Sequence, residues 1–374
     1  MPLTLPSHPK ALGTIRHVFK SSLQAVLGES NELGLRKVNS AVVVLVDGLG
    51  VEQIRQRAGH APFIAALLNN STITNCAFPA TTSTNIGSFA TGLMPGEHGL
   101  LGHLVWDRLH DERMNLLVGW NERADPVVWQ PHQTIAERAF SEGVSANVIA
   151  ASEYQNTPYT RATMRGAKFH PADSWNERFQ LGKEILAKQE PSITYLYIPE
   201  LDKYGHKNGW TSSGYATMLE DFDAQFRAFV SKLPKSVGVI LTADHGMVET
   251  TKDRQLILDD YLEEGGHTQF YGGDTRVGFV YLDDKSSIPK LVSNLEPLSY
   301  AFDIVSSSQA IATGYFGPVG SEATARMPEL MLLAKSNYTL YHSKFFKARS
   351  FEMISHHGAL SPQETRIPLI RFGF

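Results

Sequence analysis

Three unbroken apolar runs constrain this chain more than any other feature: AVVVLV at 41–46, SITYLYI at 192–198 and VGVILT at 237–242. Each is short, rich in β-branched or aromatic side chains and free of apolar–polar alternation, the pattern of a strand covered on both faces. ANVIA at 146–150 and VGFVYL at 277–282 read the same way, and stretches with helical spacing of apolar residues lie between several of the runs, among them 133–142 and 213–232. Continuous apolar strands alternating with helices predict an α/β fold with a mostly parallel central sheet flanked by helices on both faces. No internal repeat or low-complexity linker divides the 374 residues, which read as one domain, 1–374. A cap or inserted region is expected at about 250–345, where helices are harder to discern and where the sheet could equally continue. The stretch 99–132 reads as a long excursion over one edge. With 153–175 it is the expected source of aromatic substrate contacts, although packing explains any single aromatic there as well.

Several function classes are excluded at this level. Net charge is −4, the pI is about 6.4, and no Lys/Arg run resembles a nucleic-acid footprint. The single cysteine, Cys76, rules out an internal disulfide framework and a thiolate zinc site, so any metal must be held by His, Asp or Glu. Residues 1–30 mix charged and polar groups where a signal peptide needs an apolar core. No apolar run approaches the roughly 18 residues of a membrane span. The expectation is a soluble, cytoplasmic protein, with oligomeric state left open.

What sets the apolar runs apart is how they end. AVVVLV runs into Asp47-Gly48, SITYLYI runs on to Asp202 with His206 four residues further, and VGVILT runs on to Asp244-His245-Gly246. In open α/β sheets, ligands bind outside the carboxyl ends of the strands. Asp47-Gly48 alone reads as a turn, and Asp202 to His206 reads as a solvated loop beside Lys203 and Lys207. The Asp244-His245 pair resists that explanation, because a carboxylate and an imidazole after a buried strand are costly without a partner. A fourth segment, SHHGALSPQETRIPLI at 355–370, presents His356 or His357 ahead of a last strand. Three carboxylates and three imidazoles without a thiolate suit two closely spaced divalent ions, zinc or similar. Two cations about 4 Å apart can hold the attacking and leaving oxygens of an in-line phosphoryl displacement.

FPATTSTN at 78–85 offers such a site a nucleophile. Thr81, Thr82, Ser83 and Thr84 precede NIGSFATGL, which reads as a helix ended by Gly92. Capping is the ordinary role of these hydroxyls. The two roles are compatible, since the N-terminus of a helix is where a phosphate is favoured.

The order VDGLG (46–50), FPATTSTN with TGLMPGEHG (78–99), PELDKYGHKNG (199–209), TADHGM (242–247) and HHGALSP (356–362) resembles the nucleotide pyrophosphatase/phosphodiesterase family of the alkaline phosphatase superfamily, over most of the chain. The resemblance implies an alkaline phosphatase-like fold. It also implies a metal-dependent hydrolase that cleaves small-molecule phosphate esters through a phospho-threonine on two zinc ions. By this resemblance the nucleophile is Thr82, and Asn85 stabilises developing charge. Asp47, Thr82, Asp244 and His245 would hold one metal, and Asp202, His206 and His357 the other, with His357 preferred over His356 because it directly precedes Gly358. STNI at 83–86 departs from the Pro and His that commonly flank this Asn, which touches leaving-group preference and not the metal set. Phosphonate hydrolysis or phosphomonoester hydrolysis on the same scaffold is the alternative, and a catalytically idle metal-binding module is the alternative from another class. The arginine setting of a sulfatase nucleophile is missing around Cys76, and a metal-type phosphoglycerate mutase would need a larger insertion.

Overall fold

The computed structural model describes residues 13–265 and 268–374. Residues 1–12 of the amino-terminal segment considered above, and Gly266 and His267 within the region 250–345, lie outside the described residues. The central sheet is built from β1 (Ser40–Val46), β2 (Ile73–Asn75), β5 (Ser145–Ala150), β6 (Lys168–Pro171), β7 (Ser192–Ile198), β8 (Val237–Thr242) and β17 (Arg366–Phe372). Their spatial order is β2-β17-β8-β1-β7-β5-β6. Strands β8, β1, β7, β5 and β6 run parallel, and β17 pairs antiparallel with β8 and β2 at one edge. Every residue of β1, β7 and β8 is buried, as runs without alternation require. The flanking helices include Arg16–Leu27, Trp175–Ala187 and Ser213–Val230.

Local signals explain the helices. The pattern at 133–142 becomes Ile135–Ser141, started by a capping box between Thr134 and Glu137. The pattern at 213–232 becomes Ser213–Val230, capped by the Ser212 side chain. Thr82–Thr91 ends at Gly92, whose φ of 74° places it in the left-handed region that a glycine adopts at no steric cost.

A second, six-stranded sheet is antiparallel throughout. It comprises β3 (Leu104–Asp107), β4 (Glu112–Asn115), β11 (Thr268–Asp274), β12 (Val277–Leu282), β13 (Phe302–Ser306) and β14 (Leu330–Ala334), in the order β13-β14-β12-β11-β3-β4. Region 250–345 therefore forms a sheet of its own rather than extending the central one, and the excursion at 99–132 contributes its last two strands. VGFVYL belongs here, as β12, and not among the parallel strands. It is buried along its whole length, so its composition could not say which sheet it joins. Two short pairs complete the strands: β9 (Val248–Glu249) with β16 (Ser355–His356), and β10 (Gln255–Ile257) with β15 (Thr339–Tyr341).

Candidate active site

Three neighbouring strands of the central sheet, β8, β1 and β7, deliver acidic residues to the same edge. Asp47 follows β1 and Asp244 follows β8 after one residue. After β7 the chain turns into the helix Glu200–Asn208, which carries Asp202 and His206 one turn apart on one face. Two groups of potential metal ligands result, Asp47 with Asp244 and His245, and Asp202 with His206 and His357, each with its ligand atoms within 4.8 Å of one another. The fold thus gathers six of the seven residues nominated as ligands into two groups, and the seventh, Thr82, stands outside both.

Thr82 opens the helix Thr82–Thr91 directly in front of the first group. Its Oγ1 lies 3.1 Å from His245 Nε2 and 3.5 Å from Asp47 Oδ1. His245 Nε2 is 3.3 Å from Asp47 Oδ1 and 3.5 Å from Asp244 Oδ2. The other oxygen of each carboxylate is tied back: Tyr197 donates its hydroxyl to Asp47 Oδ2, and Asp244 Oδ1 accepts the N–H groups of Gly48 and His245. Gly48 has φ 69°, and a side chain there would meet Asp202 Oδ1 at 2.9 Å, so a glycine is required on both counts.

The three histidines share one arrangement. Nδ1 of His206, His245 and His357 faces the carbonyl oxygens of Ser355, Gly246 and Ala80, at 2.7, 3.2 and 2.9 Å. A carbonyl can only accept, so each Nδ1 carries a proton; the Nε2 lone pair is open to an ion in His245 and His357, and in His206 once the proton it shares with Asp202 is released. His356 is placed differently: its Nδ1 pairs with the Thr275 hydroxyl and its Nε2 with Met353 O, which leaves no nitrogen for an ion.

Electrostatics point to a missing positive charge. Burial, then the Asp202 carboxylate, raises the Asp244 carboxyl to about 6, and burial with Asp244 and Asp202 holds Asp47 well above the usual range. Burial would also raise Asp202, but His206, 3.2 Å away, outweighs it and holds this carboxyl low. His206 rises to about 9 against its burial, because of Asp202, while burial lowers His245 and His357 to about 4. Asp202 Oδ1 and Asp244 Oδ2 are buried without a hydrogen-bond partner. Carboxylates this close, with orphaned oxygens between them, fit divalent cations.

Asn85 departs from expectation. Its Oδ1 accepts from Ala77 N at 2.6 Å, and its Nδ2 donates to the carbonyls of Ala77, Pro79 and Thr81. A fully engaged side chain has no donor to offer a reacting phosphate, so Asn85 holds the loop ahead of Thr82 instead. Two residues near the site were not singled out from sequence. Tyr197 looked like core because it lies inside a buried strand. His103 precedes β3, whose Leu104 pairs with Gly273; burial lowers its imidazole, and the charges of Asp274, His357, His206 and Asp202 act on it in turn. Asn115 Oδ1 accepts from Leu117 N and Val118 N, so its Nδ2 must be the atom 2.8 Å from His103 Nε2. His103 Nε2 is then an acceptor, and Nδ1 holds the proton. Only the position of His103 four residues after Gly99, in the excursion expected to face substrate, hinted at this. In the second aromatic stretch, Tyr154 packs edge-on against Tyr197 at 5.7 Å, whereas Trp120 and Trp129 pack on each other at 5.8 Å.

A mostly parallel sheet flanked by helices, with carboxylate–imidazole clusters at its carboxyl edge, makes this a mixed α/β protein of alkaline phosphatase-like fold. The type I phosphodiesterase/nucleotide pyrophosphatase family matches residues 41–359, most of the chain, and the chain belongs to that family. Similar proteins include an uncharacterised pyrophosphatase/phosphodiesterase of Schizosaccharomyces pombe, 23% identical over 263 residues, covering 65% of this chain and 52% of the relative. Ectonucleotide pyrophosphatase/phosphodiesterase family member 3 of Rattus norvegicus is 25% identical over 251 residues, covering 63% of this chain and 28% of the relative. This chain therefore matches only about half, or less, of these relatives' length. Among solved structures, human ectonucleotide pyrophosphatase/phosphodiesterase 5 superposes with a TM-score of 0.69 at 16% identity, covering 89% of this chain and 87% of that one. The murine protein, as an inactive threonine-to-alanine variant in complex with AMP, gives 0.69 at 17% identity, with the same coverage of 89% and 87%.

Proposed function

We propose that this protein is a metal-dependent hydrolase of phosphate diesters or pyrophosphates, with Thr82 as its nucleophile. The observation that carries the reading is the placement of Thr82 Oγ1 at a helix N-terminus, 3.1 Å from His245 Nε2 and 3.5 Å from Asp47 Oδ1. The family, the names of the relatives and the AMP bound to the murine structure support the ester class.

Asp47, Asp244, His245 and the Thr82 hydroxyl would hold one divalent cation, and Asp202, His206 and His357 the other, with zinc favoured by the mix of imidazole and carboxylate. Bound there, the pair would supply the charge that lowers the pKa of the Thr82 hydroxyl and neutralises the leaving oxygen. Thr82 Oγ1 attacks phosphorus, the P–O bond to the leaving group breaks, and a phospho-threonine remains. Water then cleaves the Oγ1–P bond and restores the hydroxyl. Donors for the non-bridging oxygens come from the first N–H groups of the helix Thr82–Thr91, which no turn of helix precedes. Tyr197 keeps Asp47 oriented throughout.

The test is turnover of bis-p-nitrophenyl phosphate, p-nitrophenyl phosphate and a phosphonate ester by the wild-type protein and Thr82→Ala, with and without chelator. Diester hydrolysis should dominate and should vanish with chelator or in the variant. Chelator-resistant turnover, or a Thr82→Ala protein that keeps its activity, would overturn the proposal. Dominant phosphonate or monoester turnover would move it to that substrate class.

A further inference from the structure

The fully buried ion pair of Arg276 and Glu364, with both side chains at 0% exposure, touches neither ligand group. Arg276 lies in the turn between β11 and β12, so it belongs to the second sheet, while Glu364 lies just before β17 of the central one. Arg276 Nε donates to Glu364 Oε1 at 3.1 Å and Nη2 to Oε2 at 2.9 Å, and Nη1 donates to Tyr338 O. Each carboxylate oxygen accepts a second bond as well. Oε1 takes Ala359 N at 2.9 Å, and Oε2 takes the Ser361 hydroxyl at 2.6 Å. All four bonds converge on one carboxylate, which is the geometry of a fixed anchor.

What this anchor holds gives it a role. Ala359 is two residues after His357, so the bond to Oε1 fixes the loop that aims His357 at the second group. The backbone oxygen of Glu364 accepts Gly246 N at 2.8 Å, and Gly246 directly follows His245 of the first group. The approach there is tight: a side chain on Gly246 would meet Gln363 O at 2.1 Å. The same residue thus braces one histidine of each group, and Arg276 adds the second sheet to the brace. Thr275, beside Arg276, pairs with His356 next to His357.

We propose that Glu364, held by Arg276, is a positioning residue that sets the geometry of both cation sites, so that the two sites form or fail together. The inference rests on the two-cation reading above. Direct hydrogen-bond partners of a metal ligand change its affinity by about 10–100-fold when removed, and Glu364, which acts through Ala359 and Gly246, stands at the low end of that range.

The experiment titrates Co²⁺ into chelator-treated protein and follows visible absorption together with unfolding by circular dichroism. It compares the wild-type protein with E364Q, with the charge-free pair R276M/E364Q, and with S361A, which removes one strap and keeps the ion pair. The expected result is that E364Q and the double variant bind cobalt about 10-fold more weakly with an altered absorption band, and that S361A shows a smaller loss in the same direction. Wild-type affinity and an unchanged band in a folded E364Q or double variant would overturn the proposal. If neither folds, S361A decides: wild-type cobalt binding by it overturns the proposal, and a weakened, shifted band supports it. Failure of the wild-type protein itself to bind cobalt would count against the two-cation reading instead.

Discussion

Thr82 differs from its hydroxyl neighbours in what each one faces. Thr81 donates to Thr84 Oγ1 at 3.1 Å, and Ser83 donates to Gly102 O at 2.6 Å, so these three hydroxyls are occupied within the fold. Only Thr82 looks onto the carboxylates and His245. Thr82→Ala is expected to lower kcat by roughly 10³-fold or more, as loss of a nucleophile does, while the ligand groups still bind metal. Single-turnover kinetics with parallel metal analysis check both halves. Tyr197→Phe removes only the hydroxyl that steers Asp47. It should weaken metal binding by about 10–100-fold with little change in the melting temperature of the metal-free protein, measurable by competition with a chromophoric chelator. These residue identities were legible to different degrees. The candidate ligands stood out because polar groups at the ends of apolar runs need a reason to be there. Tyr197 could not stand out, since an aromatic inside SITYLYI is what a buried strand contains anyway.

At the scale of elements, the placement of Thr82 depends on how the chain enters the helix Thr82–Thr91. Asn85, on the first turn of that helix, reaches back to Ala77, Pro79 and Thr81 and closes the preceding loop on itself. From the motif alone this asparagine was expected to contact the reacting phosphate. Its spacing from Thr82 is right for that, but a helical backbone turns the side chain toward the preceding loop. Asn85→Ala should therefore destabilise the fold by about 1–3 kcal/mol through orphaned buried groups, detectable as a lower denaturation midpoint. A variant with unchanged stability and a selective loss of kcat would return Asn85 to a direct role. The strands β1, β7 and β8 and the helices at 135–141 and 213–230 were legible because their burial is uniform or periodic.

For the whole molecule, two sheets meet around one site. The central sheet was visible from its apolar runs, whereas the second was not, because β3 and β4 are four-residue strands of mixed polarity and β3 joins the rest of its sheet through β11, more than a hundred and fifty residues away. Short polar strands carry no periodic signal, and pairing at that distance leaves none either. Arg276 and Glu364 couple the sheets, so bound cations should stabilise the entire fold and not the site alone. Restoring zinc at 1,000 times its Kd after chelation should add about 4 kcal/mol per site to the unfolding free energy, seen as a raised melting temperature. The central claim, that Thr82 is the group that takes the phosphoryl unit, is tested most directly by acid-quenching the protein during diester turnover and locating the adduct by mass spectrometry. The account predicts a phosphoryl adduct on Thr82 that is absent from Thr82→Ala. An adduct on Thr81, Ser83 or Thr84, or none at any quench time during turnover, would contradict it.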